Sequence, residues 1–409
     1  MEKNILPIKK AVLVFLVFAC GYFISALLRA ITATLSPLLT SEFNLTAGDL
    51  GLLAGGYFLG FASMQIPLGY LLDKHGPKKI ISSFLLIAII GTGAFALAQN
   101  FAGLLISRIL IGIGVSACLM GPLTGYRIWF ADEYQQRANA WMLMVLSMGF
   151  VFSTLPVQIL LPTIGWRWIF GGITFLIFIV IALTFLFIPS WNKKIDNHNE
   201  INAGSLSDVW KNKFFRSTIP LGLFNYGGMV AVQTLWAGPW MVRVTGYSPL
   251  ESATGLFWIN TTMLVAFFVF GYILPKISKI GIESMRLMKI GLPISYLSLL
   301  VIIILGENAG AIHFTIYLLT SIVLTLTQPA VALSFPTSLA GKSLTSFNLL
   351  IFVGTFVMQW GIGLIIDLSQ YFGKSEIQSF KISFFVYFLI CIVSYLYFIY
   401  NSKDLNENK

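Results

Sequence analysis

The chain has 409 residues, of which 57% are hydrophobic and only 10% charged, and its mean hydropathy is +0.84. This composition excludes an ordinary soluble protein, which needs far more charge to hydrate its surface, so most of this surface faces lipid. The net charge of +10 would suit a nucleic-acid partner, but the distribution of the basic residues argues against one.

Apolar stretches separated by short polar segments recur along the whole chain. We predict spans at about 11–39, 50–72, 79–99, 104–126, 137–162, 166–188, 216–241, 253–275, 287–305, 313–336, 347–368 and 382–400. Each has roughly 20 residues or more, the length needed to cross about 30 Å of hydrocarbon. In lipid such runs must be helical, because no water is present to satisfy an open backbone. The sequence therefore predicts an all-α integral membrane protein with twelve spans.

The basic residues fall mainly on one side of these spans. With the N-terminus in the cytoplasm, most of the 26 Lys and Arg residues lie in cytoplasmic segments. The outer side receives only Arg167, Arg243, Lys374 and Lys381. This positive-inside bias predicts cytoplasmic termini, so the net charge reflects topology and no nucleic-acid partner is expected.

The first apolar run is longer than a signal peptide requires, and the three cysteines lie in apolar segments. The run continues well past Cys20, whereas the apolar core of a signal peptide has roughly 7–15 residues, so we expect an uncleaved first span. Cys20, Cys118 and Cys391 all lie within predicted spans. They form no disulfide or metal pattern, and we expect them to be packing residues and the protein to have no cofactor.

A polar stretch near the middle divides the spans into two sets of about six. We predict an N-terminal six-helix bundle at 1–190, a cytoplasmic linker at 191–214 and a C-terminal six-helix bundle at 215–409. The end of the linker and the residues after it, 205–215, should form a short interfacial helix with Ser207 or Asp208 near its cap.

Two internal echoes support a duplicated architecture. Gly69-Tyr-Leu-Leu-Asp73-Lys74 ends the second span, and Gly271-Tyr-Ile-Leu-Pro275-Lys276 ends the eighth, as parallel halves predict. In addition, Met64-Gln65-Ile-Pro-Leu-Gly69-Tyr-Leu-Leu-Asp73 shares Met, Gln, Gly and Asp with Met358-Gln359-Trp-Gly-Ile-Gly363-Leu-Ile-Ile-Asp367. Because spans 2 and 11 run in opposite directions, this second echo supports duplication only indirectly.

Three motifs resemble those of a known family. The loop Gly69-Tyr-Leu-Leu-Asp73-Lys74-His-Gly76-Pro-Lys78-Lys79 closely resembles the signature loop of the major facilitator superfamily. Arg108-Ile-Leu-Ile-Gly112-Ile-Gly114 resembles its second motif, and Gly165-Trp-Arg-Trp-Ile-Phe170 a further common feature. The resemblance implies two six-helix bundles, secondary transport by alternating access, and a substrate site near the midplane between the bundles.

The signature loop also suggests a gate. Its elements here are Gly69, Asp73, Lys74, Gly76 and Lys78. In the family the Asp pairs with a base at the end of span 4, here Arg127, and with the start of span 11, here the stretch from Ser346. The lysines could be topology anchors only, but that alternative does not explain Asp73 or Gly76.

The chain departs from the family pattern at two places. Pro275 stands where the second copy of the loop would carry Asp, so we expect a second cytoplasmic latch to be lost. Span 5 lacks the Gly-Pro pattern of drug/proton antiporters, which lowers the expectation of an efflux pump.

Ionisable residues inside spans are costly and are therefore candidates for function. Arg29 shares a helical face with Tyr22, Ser25, Ala26, Thr32 and Ser36, and we predict Arg29, Tyr22 and Thr32 to contact substrate. The alternative is an Arg buried against helix ends or carbonyl groups. Arg108, Gly112 and Asp367 are assigned a coupling or structural role.

Polar residues in the second half could complete the site. Gln233 and Trp236 in span 7 and Gln328 in span 10 are predicted cavity residues, with Arg29 facing the span 7 pair. The alternative is hydrogen bonding between helices, which buried amides require.

The charges inside the spans indicate the class of solute. No Asp or Glu lies deep in any predicted span, so a cavity with basic residues favours a small organic anion or zwitterion, such as a carboxylate or an amino acid. Any coupled proton would then use a carboxylate at a span end or the charge of the substrate itself.

These features predict uptake by a monomeric carrier in the inner membrane of a bacterium. The alternative transport function is an exporter of amphipathic or drug-like compounds, which the aromatic share of 15% could accommodate. An enzyme is not expected, since His75, His198 and His313 form no metal pair; a non-transporting sensor is the third class considered.

Overall fold

The computed structural model describes residues 5–190, 205–279 and 284–402, and the regular structure there is helical throughout. The helices are α1 Ile8–Phe43, α2 Ala47–Ser63, α3 Gln65–Leu97, α4 Phe101–Val115, α5 Ala117–Trp129, α6 Asp132–Phe152, α7 Leu155–Phe187, α8 Leu206–Lys211, α9 Lys213–Pro220, α10 Gly227–Ala231, α11 Ala237–Arg243, α12 Pro249–Lys279, α13 Ser284–Leu305, α14 Ala311–Ser321, α15 Thr327–Leu333, α16 Thr337–Tyr371 and α17 Glu376–Ser402.

Most of the predicted spans are recognisable by length and hydropathy alone. Within the described ranges, nine helical stretches are long and apolar enough to cross a membrane. The remaining three spans correspond to α2 with the start of α3, to α6 with the start of α7, and to the interrupted run from α9 to α11. The predicted all-α membrane class with twelve spans is thereby confirmed.

Two glycines mark the turns inside α3 and α7. Gly76 has φ 78° and Gly165 has φ 73°, and the helical geometry is broken at each. Positive φ is unfavourable for residues with a Cβ, so glycine allows the chain to end one span and begin the next without a long loop. Span 3 therefore begins near Gly76, a few residues before its predicted start. Hydropathy does not detect this first turn, because its residues are polar.

Span 7 is irregular in a way that the sequence does not reveal. Two π-helical segments, Leu221–Tyr226 and Val232–Trp236, interrupt it. The first directly follows Pro220, which has no backbone N–H to donate. Such segments are often found at functional sites, so span 7 is a candidate functional element.

The chain forms two compact units. One comprises Met1–Asn44 and Gly56–Lys193, and the other comprises Leu45–Gly55 and Lys194–Lys409. The division lies close to the predicted linker, whose residues 191–204 are outside the described part. In this division the first residues of α2 group with the second unit, and the bounds of the predicted bundles and linker stay predictions.

The short helix predicted at the end of the linker is present as α8. Its N-cap is Ser205, so the cap precedes the positions predicted for it. The Ser205 hydroxyl accepts a hydrogen bond from the Ser207 N–H, and the Asp208 carboxylate accepts one from the Ser205 N–H at 2.6 Å. Ser205 and Asp208 thus form a capping box, with Ser205 at the N-cap and Asp208 at the third helical position. Their spacing in the sequence could have predicted it.

Candidate functional site

Arg29 lies in the interior of α1, where its side chain is almost fully buried. The residue is 6% exposed, and its guanidinium carbon lies 5.2 Å from the ring centroid of Phe61 and 5.9 Å from that of Tyr57. Both rings come from α2, and a guanidinium at this distance is attracted to the face of an aromatic ring. The charge of Arg29 is therefore held against aromatic groups of the first unit.

Tyr57 is fixed in place by the turn of α1 that precedes Arg29. Its hydroxyl donates a hydrogen bond to the Ser25 carbonyl oxygen at 3.0 Å and lies 3.1 Å from the Ser25 hydroxyl. Ser25 and Arg29 are four residues apart and so share one face of the helix. The polar face predicted for α1 therefore packs against aromatic residues of α2.

Arg108 reaches the same ring from α4. The residue is fully buried, its Nη1 donates a hydrogen bond to the Leu28 carbonyl oxygen at 2.7 Å, and its guanidinium carbon is 5.3 Å from the Tyr57 centroid. Its Nε and Nη2 have no hydrogen-bond partner among the residues that the structure describes. Two arginines that are far apart in the sequence thus converge on one tyrosine.

Gly112 explains how Arg108 is brought there. A Cβ atom on Gly112 would overlap the Tyr57 carbonyl oxygen, and one on Gly60 would overlap the Ile109 carbonyl oxygen. The backbones of α2 and α4 therefore pack directly against each other. Because Arg108 and Gly112 are one turn apart, the glycine that permits this approach also directs Arg108 toward Tyr57.

The other predicted residues of the first unit are buried on α1. Tyr22 and Thr32 are each 2% exposed. Acidic residues of α1, α2 and α4 lie only at helix ends, where Glu42 pairs with Arg167 at 2.7 Å and Asp49 occupies the first turn of α2. No carboxylate of these three helices therefore lies at the depth of Arg29 and Arg108.

The predicted residues of the second unit are joined to neighbouring helices. The Gln233 amide donates to the Asn260 side-chain oxygen at 3.1 Å, and the Trp236 indole donates to the Gln359 backbone oxygen at 3.1 Å. The Gln328 amide donates to the Asn348 side-chain oxygen at 2.7 Å. Gln233 and Trp236 lie in the second π-helical segment. In this state the polar groups of span 7 serve helix packing, and a role in binding substrate stays a prediction.

Sequence reasoning missed several residues of these clusters. Tyr57 and Phe61 were not predicted, although an aromatic pair one turn apart opposite a buried Arg is a usable signal. Asn260 was missed as well. So was Tyr296, whose hydroxyl donates to the Asn225 side-chain oxygen at 2.7 Å. Such partners become visible only when helices distant in sequence are brought together.

The predicted gating loop lies on the surface of the first unit. Gly69, Asp73 and Lys74 are exposed, and the Lys74 ammonium lies 5.6 Å from the Tyr70 ring centroid. Lys78 donates a hydrogen bond to the Phe185 carbonyl oxygen at 2.7 Å, while Gly76 forms the turn. Arg127 is exposed in the last turn of α5, and the structure records no ion pair between Asp73 and Arg127 among the described residues. A gating role for these residues stays a prediction.

Asp367 near the end of α16 is half-buried. Its carboxylate accepts hydrogen bonds from the backbone N–H groups of Ala47 and Gly48. These groups belong to the first turn of α2, so the carboxylate fastens two elements of the second unit.

Comparison with known proteins shows the family of the chain. The family model of the Major Facilitator Superfamily matches residues 18–359. A probable sulfoacetate transporter of Cupriavidus necator, SauU, is 24% identical over 55% of this chain and 56% of its own length. The niacin transporter NiaP of Acinetobacter baylyi is 24% identical over 58% of this chain and 61% of its own. The chain thus matches little more than half the length of these curated relatives.

The fold is shared with solved structures over nearly the whole chain. A bacterial homolog of the human lysosomal transporter Spinster superimposes with a TM-score of 0.75 at 16% identity, covering 95% of this chain and 96% of the other. A sequence identity this low shows that the fold is shared and nothing about function.

Proposed function

The chain belongs to the major facilitator superfamily, and we propose that it is a multi-pass membrane transporter that imports a small organic anion or zwitterion, such as a carboxylate or an amino acid. The observation that carries this proposal is the convergence of Arg29 and Arg108 on Tyr57. The acidic residues of α1 and α2, Glu42 and Asp49, lie at helix ends, and α4 has none. An anion is the natural partner for positive charge held in such an environment.

The chemistry of arginine supports a carboxylate or a similar acid group as the ligand. A guanidinium presents a planar fork of donors that matches the two oxygens of such a group. Arg108 also keeps two buried donors without a partner among the described residues. Sulfoacetate and niacin, the solutes for which two relatives are named, both carry an acid group.

The proposal includes a cellular setting. The excess of Lys and Arg in the segments assigned to the cytoplasm supports cytoplasmic location of both termini. We infer a monomer in the bacterial inner membrane that acts as a symporter. A coupled proton would be carried by a carboxylate at a span end or by the substrate.

A panel of radiolabelled acids, amino acids and amphipathic cations in proteoliposomes tests this function, with and without a pH gradient. We expect uptake of an acid. Arg29→Ala should lower its uptake by at least about tenfold, since a hydrogen bond to a charged group contributes about 1.5–3 kcal/mol. Arg29→Lys should restore only part of it, because the bidentate geometry is lost.

Arg243→Ala is the matched control, because Arg243 is an outer, half-exposed arginine with its own partner Glu376. It should transport like the parent protein. Unchanged uptake by Arg29→Ala, or transport of amphipathic cations alone, would contradict the proposal and favour the exporter.

A further inference from the structure

The N-terminus of α2 receives a carboxylate from a helix far away in the sequence. Asp367 Oδ1 accepts a hydrogen bond from the Ala47 N–H at 3.0 Å, and Oδ2 accepts one from the Gly48 N–H at 2.8 Å. These N–H groups lie in the first turn, where an α-helix offers no acceptor of its own. A carboxylate there also interacts favourably with the helix dipole.

This contact is not needed to form the helix, because α2 has a local cap. The Thr46 N–H donates to the Asp49 carboxylate, and the Asp49 N–H donates to the Thr46 hydroxyl, both at 3.1 Å. That reciprocal pair is the usual capping box. Asp367 is therefore a second, remote carboxylate at a helix start that is already capped, and it requires another explanation.

Glycines bring the two helices together so that the carboxylate can reach. A Cβ atom on Gly51 would overlap the Gln359 carbonyl oxygen, and one on Gly363 would overlap the Ala47 carbonyl oxygen. A Cβ atom on Gly48 would lie 2.6 Å from Asp367 Oδ2. The start of α2 and the last turns of α16 thus pack backbone to backbone, with the carboxylate at the end of the contact.

The sequence similarity between the ends of spans 2 and 11 includes both aspartates, Asp73 and Asp367. Asp73 ends span 2 in one copy of the motif, and Asp367 lies at the end of span 11 in the other. Family resemblance pairs Asp73 with the start of span 11. Asp367 contacts the start of span 2. For Asp367 the contact with the start of the other span is observed, whereas for Asp73 it is only what the resemblance implies.

We propose that Asp367 is an outer latch, whose carboxylate fastens the N-terminus of α2 to α16 in the state seen here and releases it in the other state of the transport cycle. Asp73 is its cytoplasmic counterpart, and it is exposed in this state while Asp367 is bonded. Switching proteins commonly exchange one set of contacts for another in this way. Backbone N–H groups suit such a partner, since water can replace the carboxylate when the helices separate. The proposal does not depend on the identity of the solute.

Spin-label distance measurements in the full-length protein test the latch. Labels would be placed at Ser41→Cys and Tyr371→Cys, two exposed positions on the outer side, in a background with the three native cysteines replaced. Asp367→Asn and Asp367→Ala should each shift the distribution toward longer distances. We expect the ratio of long to short populations to rise about fivefold, the lower end of ordinary conformational couplings. Net uptake should fall in the same variants.

Asp49→Asn is the matched control, because it removes the other carboxylate at the same helix start. It should leave the distance distribution unchanged. The proposal is overturned if folded, monodisperse Asp367 variants show the parent distribution, or if Asp49→Asn produces the same shift. Loss of folded protein in both Asp367 variants would also overturn it, because a latch is dispensable for folding.

Discussion

Arg108 donates a hydrogen bond to the carbonyl oxygen of Leu28 at 2.7 Å, so the arginine of span 4 is tied to the residue that directly precedes Arg29. Tyr57 lies against both guanidinium groups. An anion that binds Arg29 therefore meets a cluster of side chains whose positions are fixed by three helices, α1, α2 and α4.

Tyr57→Leu should weaken transport strongly, whereas Tyr57→Phe should retain most of it. The leucine removes the aromatic face that both guanidinium groups contact, which is worth about 0.5–2 kcal/mol for each contact. The phenylalanine keeps the ring and loses only the hydrogen bonds to Ser25. Apparent affinity for the transported solute, measured in proteoliposomes, checks this order. Tyr400→Leu is the control, because Tyr400 is 77% exposed near the end of α17. Equal losses for Phe and Leu would assign the role to the hydroxyl instead.

Gly112→Ala should destabilise the protein by about 1–3 kcal/mol, because the added methyl group must displace the backbone at Tyr57. Thermal unfolding in detergent would show the loss. Gly93→Ala, where a Cβ would meet no atom within 4 Å, is the matched control and should be neutral or slightly stabilising. If both variants unfold at the same temperature, the close approach of α2 and α4 does not determine stability.

Asp73→Asn should slow transport while leaving the protein folded and inserted. Asp73 is exposed, so no packing is lost, and the change removes only the charge that the cytoplasmic latch requires. Initial uptake rates together with the amount of membrane-inserted protein provide the measurement. Glu133→Gln, another exposed acid of the first unit, should transport normally. Full transport by the Asp73 variant would mean that the signature loop only sets topology.

The sequence by itself determined the class of the protein and the position of its spans. Hydrophobic length is a local property, and a run that must satisfy its own backbone in lipid can only be a helix. The turn at Gly76 was likewise readable, since a reversal between two spans calls for a residue that tolerates positive φ. Arg29 stood out for the same reason, because a charge inside a span is costly wherever the helix packs.

Only the tertiary structure decided which side chains meet. Nothing in the neighbourhood of Asp367 indicates that it binds the N–H of Ala47, 320 residues away, and nothing near Tyr57 indicates that two arginines contact its ring. The irregular helix of span 7 and the grouping of 45–55 with the second unit were also unforeseen. Hydropathy records how each segment interacts with lipid. These features depend instead on which glycines allow two backbones to approach, and such an approach depends on both helices of a pair.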